Sequence, residues 1–335
     1  MENLVNSSPL ILVLVFLVIG FAFLMKGADF FVEGSSSIAK RLKVPPIIIG
    51  LTIVAMGTSL PETAVSVTAS LVNNNELAVS NVVGSNIFNL MVVVGVCSIL
   101  TPILVQKETI KRDIPFSMIC AFLLLGLGIL AVGDKSGMRL GHLDGMILLG
   151  FFAGYIVVMI QSAMKARAAG KNVEIEGIEE LEEEIGILSW PKSILFIVGG
   201  ALAIAFGGDL TVDAASRIAI DLGMSQTLVG LTIVSIGTSL PELVTSVVAA
   251  RKNEVDMAVG NAVGSNIFNI LMVLGIASAI NPVALIRENI IDIVILIVFS
   301  LIVWIYAATK RKISRKEGIS MVCLYLIYAG YIIWR

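Results

Sequence analysis

The sequence predicts an all-α polytopic membrane protein, with ten transmembrane helices arranged as two inverted five-helix repeats and broken helices at the midplane. Composition is the first basis of this prediction, because 57% of the 335 residues are hydrophobic, only 14% are charged, and the mean hydropathy is +0.97. Soluble domains carry roughly a quarter charged residues. The chain is therefore predicted to lie in a lipid bilayer, and no basic patch with interleaved aromatic residues indicates a nucleic-acid partner.

An internal repeat is the second basis of the prediction. Residues 50–90 and 230–270 align without a gap at a constant offset, and 25 of the 41 aligned positions are identical. Each copy places one glutamate inside an apolar segment, Glu62 in the first and Glu242 in the second. A carboxylate at membrane depth is energetically unfavourable and usually marks a functional site. The duplicated glutamate is therefore predicted to be functional.

The number of spans follows from the length of the apolar runs. A helix that crosses the bilayer needs about 20 apolar residues. No Lys or Arg precedes the first run, and it is too long for a signal peptide, so it is expected to remain in the chain. The ten predicted spans are 9–33, 44–72, 77–100, 114–133, 143–164, 191–217, 224–250, 256–280, 288–309 and 317–334.

Orientation is predicted from the basic residues between the spans. If the N-terminus is external, 17 Lys and Arg residues fall on one side of the membrane and five on the other. The side with more basic residues is predicted to be cytoplasmic. Both termini are then expected outside a cell (plasma) membrane that the chain crosses many times.

The domain organisation is two halves joined by a linker. The first five-helix repeat is predicted over 1–164, an acidic cytoplasmic linker over 165–190, and the second repeat over 191–335. Because five spans per half is an odd number, the second repeat enters the membrane from the opposite side. Such inverted repeats are typical of transporters that bind their substrate near the midplane, between the repeats.

Two short motifs in each copy carry the candidate chemistry. The first is GTSLPE, residues 57–62 and 237–242, in which proline removes a helical N–H and is predicted to free nearby carbonyls. The second is GSNIFN, residues 84–89 and 264–269, in which the oxygens of serine and asparagine replace carboxylates as candidate donors. The candidate side-chain donors are Glu62, Glu242, Thr58, Ser59, Thr238, Ser239, Ser85, Ser265, Asn89 and Asn269.

All of these donors are oxygen or amide groups, and neither Cys nor His occurs in the aligned segments 50–90 and 230–270. Such a set suits Ca²⁺ or Na⁺ and does not suit zinc or copper. Two glutamates bring a charge of −2, which one Ca²⁺, two Na⁺ or two protons would balance. An exchanger needs two different ion loads that can each neutralise the same buried charge, and these ions meet that requirement.

At these residues the chain resembles the sodium/calcium exchanger family of the cation/Ca²⁺ antiporter superfamily, in its prokaryotic type. The two motifs are highly specific in both copies, and the resemblance extends in outline over all ten spans. It implies that the chain is a Na⁺/Ca²⁺ antiporter that extrudes Ca²⁺, and not an enzyme. It also implies that spans one and six slide over the other spans during transport. Ca²⁺ and Na⁺ are then the transported ions, with no organic cofactor and no obligate protein partner.

The resemblance also implies the ligands of these ions. They are the carboxylates of Glu62 and Glu242, the hydroxyls of Thr58, Ser59, Thr238, Ser239, Ser85 and Ser265, the amide of Asn89, and the backbone carbonyls of Ala55 and Ser235. The chain departs from many relatives at Asn269, where they carry aspartate, so the Na⁺ stoichiometry is left open. A Ca²⁺/H⁺ antiporter that uses the same glutamates, and a cation channel, remain alternative functions.

Overall fold

The structure is a computed structural model that describes residues 2–71, 75–130, 138–168, 188–224, 233 and 235–334. Within these residues it is helical apart from four two-residue strands. The strands are β1 (Ile103–Leu104), β2 (Arg139–Leu140), β3 (Val283–Ala284) and β4 (Lys312–Ile313). The helices in chain order are α1 (Glu2–Asn6), α2 (Leu10–Leu42), α3 (Pro46–Thr58), α4 (Leu60–Leu71), α5 (Ala78–Leu100, preceded by one further turn from Asn75), α6 (Thr109–Ile129), α7 (His142–Ala168), α8 (Trp190–Asp221), α9 (Ser235–Gly237), α10 (Leu240–Arg251), α11 (Val255–Ile280), α12 (Arg287–Lys310) and α13 (Arg315–Trp334).

Eight of the described helices are long and apolar enough to cross a membrane, and the bent pair α3 and α4 forms a ninth candidate span. The predicted span 224–250 falls partly outside the described residues, which include its later part as α9 and α10. The count of ten therefore stays a prediction. Most of the predicted acidic linker, residues 169–187, also lies outside the described residues.

The first span is longer than its predicted range of 9–33, because α2 continues to Leu42 through a run of small residues. It ends where Lys43 adopts a left-handed conformation with φ 54°, just before the two consecutive prolines Pro45 and Pro46. Proline disfavours helical backbone at the residue before it. The helix therefore ends just before the prolines that prevent its continuation.

Helices α2 and α8 pack along their length with their backbones in contact. A Cβ atom added at Gly27 would lie 2.9 Å from the carbonyl oxygen of Gly200, and one at Gly34 would lie 2.8 Å from that of Ser193. One added at Gly207 would lie 2.7 Å from the carbonyl oxygen of Gly20. Numbers rise along α2 as they fall along α8, so the two helices are antiparallel. Antiparallel packing of the helices that open the two predicted repeats is what an inverted arrangement requires.

Two short ladders connect loops that are distant in sequence. Strand β1 pairs with β4, placing Ile103 opposite Ile313, and β2 pairs with β3, placing Leu140 opposite Val283. Each ladder joins two loops that the Lys and Arg distribution assigns to the same side of the membrane. The loop pairing is therefore compatible with the predicted alternation of the spans.

The helices are broken at both GTSLPE motifs. Helix α3 ends at Thr58 and α4 begins at Leu60, with a bend of 48° between them. In the second copy α9 ends at Gly237 and α10 begins at Leu240. The GSNIFN motifs pass into π-helical segments, Asn89–Val93 and Asn269–Val273, which occur often at functional sites.

Candidate cation site

The two predicted carboxylates occupy equivalent places in the two broken helices. Glu62 lies in the first turn of α4 and Glu242 in the first turn of α10. A negative charge is favourable at a helix N-terminus, because the unpaired N–H groups and the helix dipole face it. Both side chains are nevertheless 0% exposed. The helix ends provide partial compensation for charges that have lost all contact with water.

Hydrogen bonds between the repeats bring these carboxylates into one cluster. The Ser59 hydroxyl donates to Glu242 Oε1 at 3.0 Å, and the Ser239 hydroxyl donates to Glu62 Oε1 at 3.3 Å. Ser265 adds a bond to Glu242 Oε1 at 3.4 Å. Each carboxylate is therefore held by the serine in the break of the other repeat, and neither repeat alone forms the cluster.

An asparagine cluster joins the GSNIFN motifs behind the carboxylates. Asn86 Nδ2 donates to the Asn266 carbonyl at 3.0 Å, and Asn266 Nδ2 donates to the Asn86 carbonyl at 3.1 Å. Asn269 Nδ2 also donates to Asn86 Oδ1 at 3.1 Å. The reciprocal bonds between equivalent residues are those of a local two-fold relation. They fix the positions from which Asn89 and Asn269 extend.

Several buried oxygens of the cluster have no hydrogen-bond partner among the described residues. Native proteins leave few buried polar groups unpaired, so a group of them calls for an explanation such as an ion. Apart from Asn266 Oδ1, these atoms belong to residues that the sequence predicts as ligands. They are Glu62 Oε2, Glu242 Oε2, Ser85 Oγ, Asn89 Oδ1 and Asn269 Oδ1.

The charge of the cluster also lacks a protein partner. In the part of the chain that the structure describes, no ion pair joins Glu62 or Glu242 to Lys or Arg. Leaving a buried charge uncompensated is unfavourable by several kcal/mol, on the order of 3–5. The arrangement can therefore hold cations of total charge +2, with carboxylate, hydroxyl and amide oxygens as ligands.

The remaining predicted ligands belong to the residues at and before the two breaks. The Ala55 carbonyl accepts the backbone N–H of Ser59 at 3.0 Å, so Pro61 does not free it and only its second lone pair is available. Ser235 is the first residue of α9, and its side chain is outside the described part. Thr58 and Thr238 lie beside the breaks, and their hydroxyls each face an asparagine of the other repeat.

Those two asparagines, Asn261 and Asn81, were not singled out by sequence analysis. Asn261 Oδ1 accepts from the Thr58 hydroxyl at 2.9 Å, and Asn81 Oδ1 accepts from the Thr238 hydroxyl at 3.3 Å. The available signal was their identity at equivalent places in the repeat alignment, shortly before each GSNIFN motif. Identity alone does not distinguish a residue near the site from one that packs elsewhere.

The fold and this cluster define the class of the protein: a multi-pass membrane protein with a buried, acidic, oxygen-lined site between two related halves. A family model described as "Sodium/calcium exchanger protein" matches residues 12–161 and 192–334. The chain belongs to the sodium/calcium exchanger family, whose members are membrane transporters that exchange cations for Ca²⁺, and the resemblance found in the sequence is confirmed.

Individual relatives agree over nearly the whole chain. It is 38% identical to the putative antiporter CaxA of Alkalimonas amylolytica over 323 residues, covering 94% of this chain and 96% of that protein. It is 33% identical to the sodium/calcium exchanger MaX1 of Methanosarcina acetivorans, covering 93% and 96%. A solved structure of the sodium-calcium exchanger NCX_Mj, soaked with Na⁺ and Sr²⁺, is 31% identical with a TM-score of 0.79, covering 96% of this chain and 99% of that one.

Proposed function

We propose that this protein is a Na⁺/Ca²⁺ antiporter that extrudes Ca²⁺ from the cell by using the inward Na⁺ gradient. The observation that carries the proposal is the cluster of unpaired buried oxygens around Glu62 and Glu242. Two fully buried carboxylates without a basic partner need a load of +2. One Ca²⁺ or two Na⁺ meet that need, and alternation between these loads couples the two ions.

The proposed site has two layers of ligands. The carboxylates of Glu62 and Glu242 are shared by Ca²⁺ and Na⁺, and the oxygens of Ser59, Ser239, Ser85 and Ser265 surround them. The outer ligands are the hydroxyls of Thr58 and Thr238, the amides of Asn89 and Asn269, and the carbonyls of Ala55 and Ser235. Ca²⁺ commonly takes about 6–8 oxygen ligands, a number that this set can supply.

Alternating access is proposed to use α2 and α8 as one moving unit. The antiparallel pair is closely packed through Gly20, Gly27, Gly200 and Gly207, which favours motion of the two helices together. With both carboxylates unloaded, the site carries a charge of −2 in a medium of low dielectric constant, where reorientation is unfavourable. Helices α2 and α8 therefore move when ions are bound and not when the site is empty. This condition couples the two ion fluxes and prevents uncoupled flux of either ion.

We further propose that the protein lies in the cell membrane with both termini outside. This orientation rests on the excess of Lys and Arg in the loops that become cytoplasmic. It places the β1–β4 ladder in the cytoplasm and the β2–β3 ladder outside.

The test is radioactive Ca²⁺ uptake into liposomes that contain the purified protein. Uptake is expected with internal Na⁺ and Na⁺-free medium outside, and is not expected with internal K⁺ alone. A third arm imposes a pH gradient without Na⁺. Uptake in that arm only would replace Na⁺ coupling with the Ca²⁺/H⁺ alternative, and uptake at channel-like rates without any gradient would overturn exchange altogether.

A further inference from the structure

Asn81 and Asn261 lie behind the proposed ligands and are absent from the ligand set. We propose that they are positioning residues that hold the hydroxyl protons of Thr238 and Thr58 away from the ions. The oxygens at both helix breaks then remain available as ligands. This inference rests on the proposed cation site. It adds two asparagine side chains that orient the threonine hydroxyls of that site.

The hydroxyl of Thr58 has a choice of acceptors. It lies 2.9 Å from Asn261 Oδ1, 3.2 Å from the Val54 carbonyl, 3.4 Å from the Ala55 carbonyl and 3.5 Å from the Ser265 hydroxyl. A hydroxyl has one proton and two acceptor lone pairs. The shortest of these contacts is to Asn261, so the asparagine takes the proton and leaves both lone pairs of the threonine oxygen free.

The choice matters because a cation binds lone pairs and is repelled by a proton. If Asn261 were absent, the Thr58 proton would turn to the carbonyl of Val54 or Ala55, one turn back along the same helix. Threonine hydroxyls commonly bond the backbone in this way. The Ala55 carbonyl already accepts from Ser59, and a second donor would occupy its remaining lone pair. The asparagine therefore protects two proposed ligands with a single hydrogen bond.

The orientation of Asn261 is itself fixed by its amide nitrogen. Nδ2 donates to the Ser246 hydroxyl at 2.9 Å and lies 3.4 Å from the Glu242 carbonyl. Its side chain is 0% exposed, so water does not compete for these bonds. With the nitrogen held by α10, the oxygen has to face Thr58.

The second copy repeats the arrangement with the equivalent residues. Asn81 Nδ2 donates to the Ser66 hydroxyl at 3.2 Å, and Asn81 Oδ1 accepts from Thr238 at 3.3 Å. Ser66 and Ser246 occupy the same position of the repeat. Each asparagine is thus anchored within its own repeat and serves the threonine of the other. Two independent occurrences of one three-residue chain argue against an accident of packing.

A double-mutant cycle tests this role. Asn261→Ala, Thr58→Val and the double variant are compared with wild type by the KM for Ca²⁺, the turnover at saturating Ca²⁺, and the Ca²⁺-induced rise in thermal unfolding temperature. Each single change is expected to raise KM about 10-fold, equal to about 1.4 kcal/mol, while saturated turnover changes less. Because both changes remove one interaction, the double variant is expected to resemble the singles.

Ser300→Ala is the matched control, because Ser300 is also a buried hydroxyl but, among the described residues, it donates to the Leu296 carbonyl of its own helix and not to the site. Its KM is expected to equal that of wild type. Should Asn261→Ala not purify as a folded protein, the cycle of Asn81→Ala with Thr238→Val decides the question, since Asn81 is less completely buried at 8%.

The outcomes separate this inference from the proposed function. A wild type that exchanges Na⁺ for Ca²⁺, together with an unchanged KM in Asn261→Ala or effects that multiply to about 100-fold in the double variant, would overturn the positioning role alone. A wild type that neither exchanges Ca²⁺ nor is stabilised by it would overturn the proposed function and this inference with it.

Discussion

The two broken helices share the same six residues, GTSLPE, yet their surroundings differ. At both breaks the glycine is covered by a side chain of a neighbouring helix, because an added Cβ would overlap the Phe31 ring at Gly57 and the Val212 side chain at Gly237. The threonines that follow these glycines differ, because Thr58 is 0% exposed and Thr238 is half-buried. Identical motifs therefore differ in the exposure of one residue, and we call the break with the buried Thr58 the closed end and the break with the half-buried Thr238 the open end.

Helices α2 and α8 cover the two breaks with different side chains, Phe31 over Gly57 and Val212 over Gly237. Phe31 of α2 occupies the repeat position of Thr211 in α8, so a large ring on one side is replaced by a small polar residue on the other. Thr211 and its neighbour Val212 line a groove at the second break. The proposed ligands are therefore nearly symmetric between the two repeats, whereas the side chains of α2 and α8 over the breaks differ.

A second asymmetry ties α2 to the loop that follows α10. Lys252 Nζ donates to the Asp29 carbonyl at 3.0 Å and lies 3.4 Å from its carboxylate, while the Ser36 hydroxyl bonds Glu254. In the first repeat the sequence has Val72 where the second has Lys252. Because valine carries no charge, the ion pair between Lys252 and Asp29 has no counterpart between Val72 and Asp209.

The strongest test of the comparison asks whether both ends serve one site. Glu62→Gln and Glu242→Gln are each expected to lower Na⁺-driven Ca²⁺ uptake about 100-fold or more, because a divalent ion is left with a single buried charge, unfavourable by about 3–5 kcal/mol. The losses should be similar despite the unequal access. Glu108→Gln, which changes an exposed glutamate, is the control. A loss confined to one glutamate would mean that the carboxylates do not share the Ca²⁺.

The next test concerns the contact that holds the two covering helices together. Gly27→Ala is expected to lower the free energy of unfolding by about 1–3 kcal/mol, since its new methyl group would overlap the backbone of α8. Gly126→Ala is the matched control, because a Cβ there meets nothing within 4 Å. Thermal unfolding of the two purified variants checks the prediction, and equal unfolding temperatures would contradict the close α2–α8 packing.

A labelling experiment measures the difference in access directly. In a background with the exposed Cys323 replaced by serine, Thr238→Cys is expected to react with a water-soluble thiol reagent roughly 10-fold faster than Thr58→Cys, because thiol reactivity follows exposure. The buried Cys97 and Cys120 remain in place as an internal background. Equal rates at the two threonine positions would remove the distinction between the closed and open ends.

The smallest expected effect is that of the tie at the closed end. Lys252→Ala should increase labelling of Thr58→Cys by no more than about 5-fold, because partly exposed ion pairs contribute about 0.2–1 kcal/mol. Lys26→Ala provides the control. Lys26 also approaches Asp29, at 3.8 Å, but it is 76% exposed and belongs to the same helix. An equal response to both changes would show that the α10 loop does not restrain α2.

Much of the site could be predicted because its signals are local. Glu62 and Glu242 each follow a proline inside an apolar run, and the repeat confirms each position by the other. The structure places both in one buried cluster, with Ser59 and Ser239 as cross-repeat partners. The proline was expected to leave the Ala55 carbonyl free. This expectation was wrong, because the backbone N–H of Ser59 still donates a hydrogen bond to that carbonyl.

The sequence by itself determined the membrane environment, the two related halves and the polar groups of the site. Hydrophobicity, proline and buried carboxylates act through their immediate surroundings. Only the tertiary structure decided which side chains cover the breaks, because the contacts of Phe31 with Gly57 and of Lys252 with Asp29 join segments that are distant in sequence. The same holds for Asn261 and Thr58, which are 203 residues apart. Two copies of one motif cannot specify by themselves how differently their neighbours pack, since packing depends on the shapes that distant segments bring together.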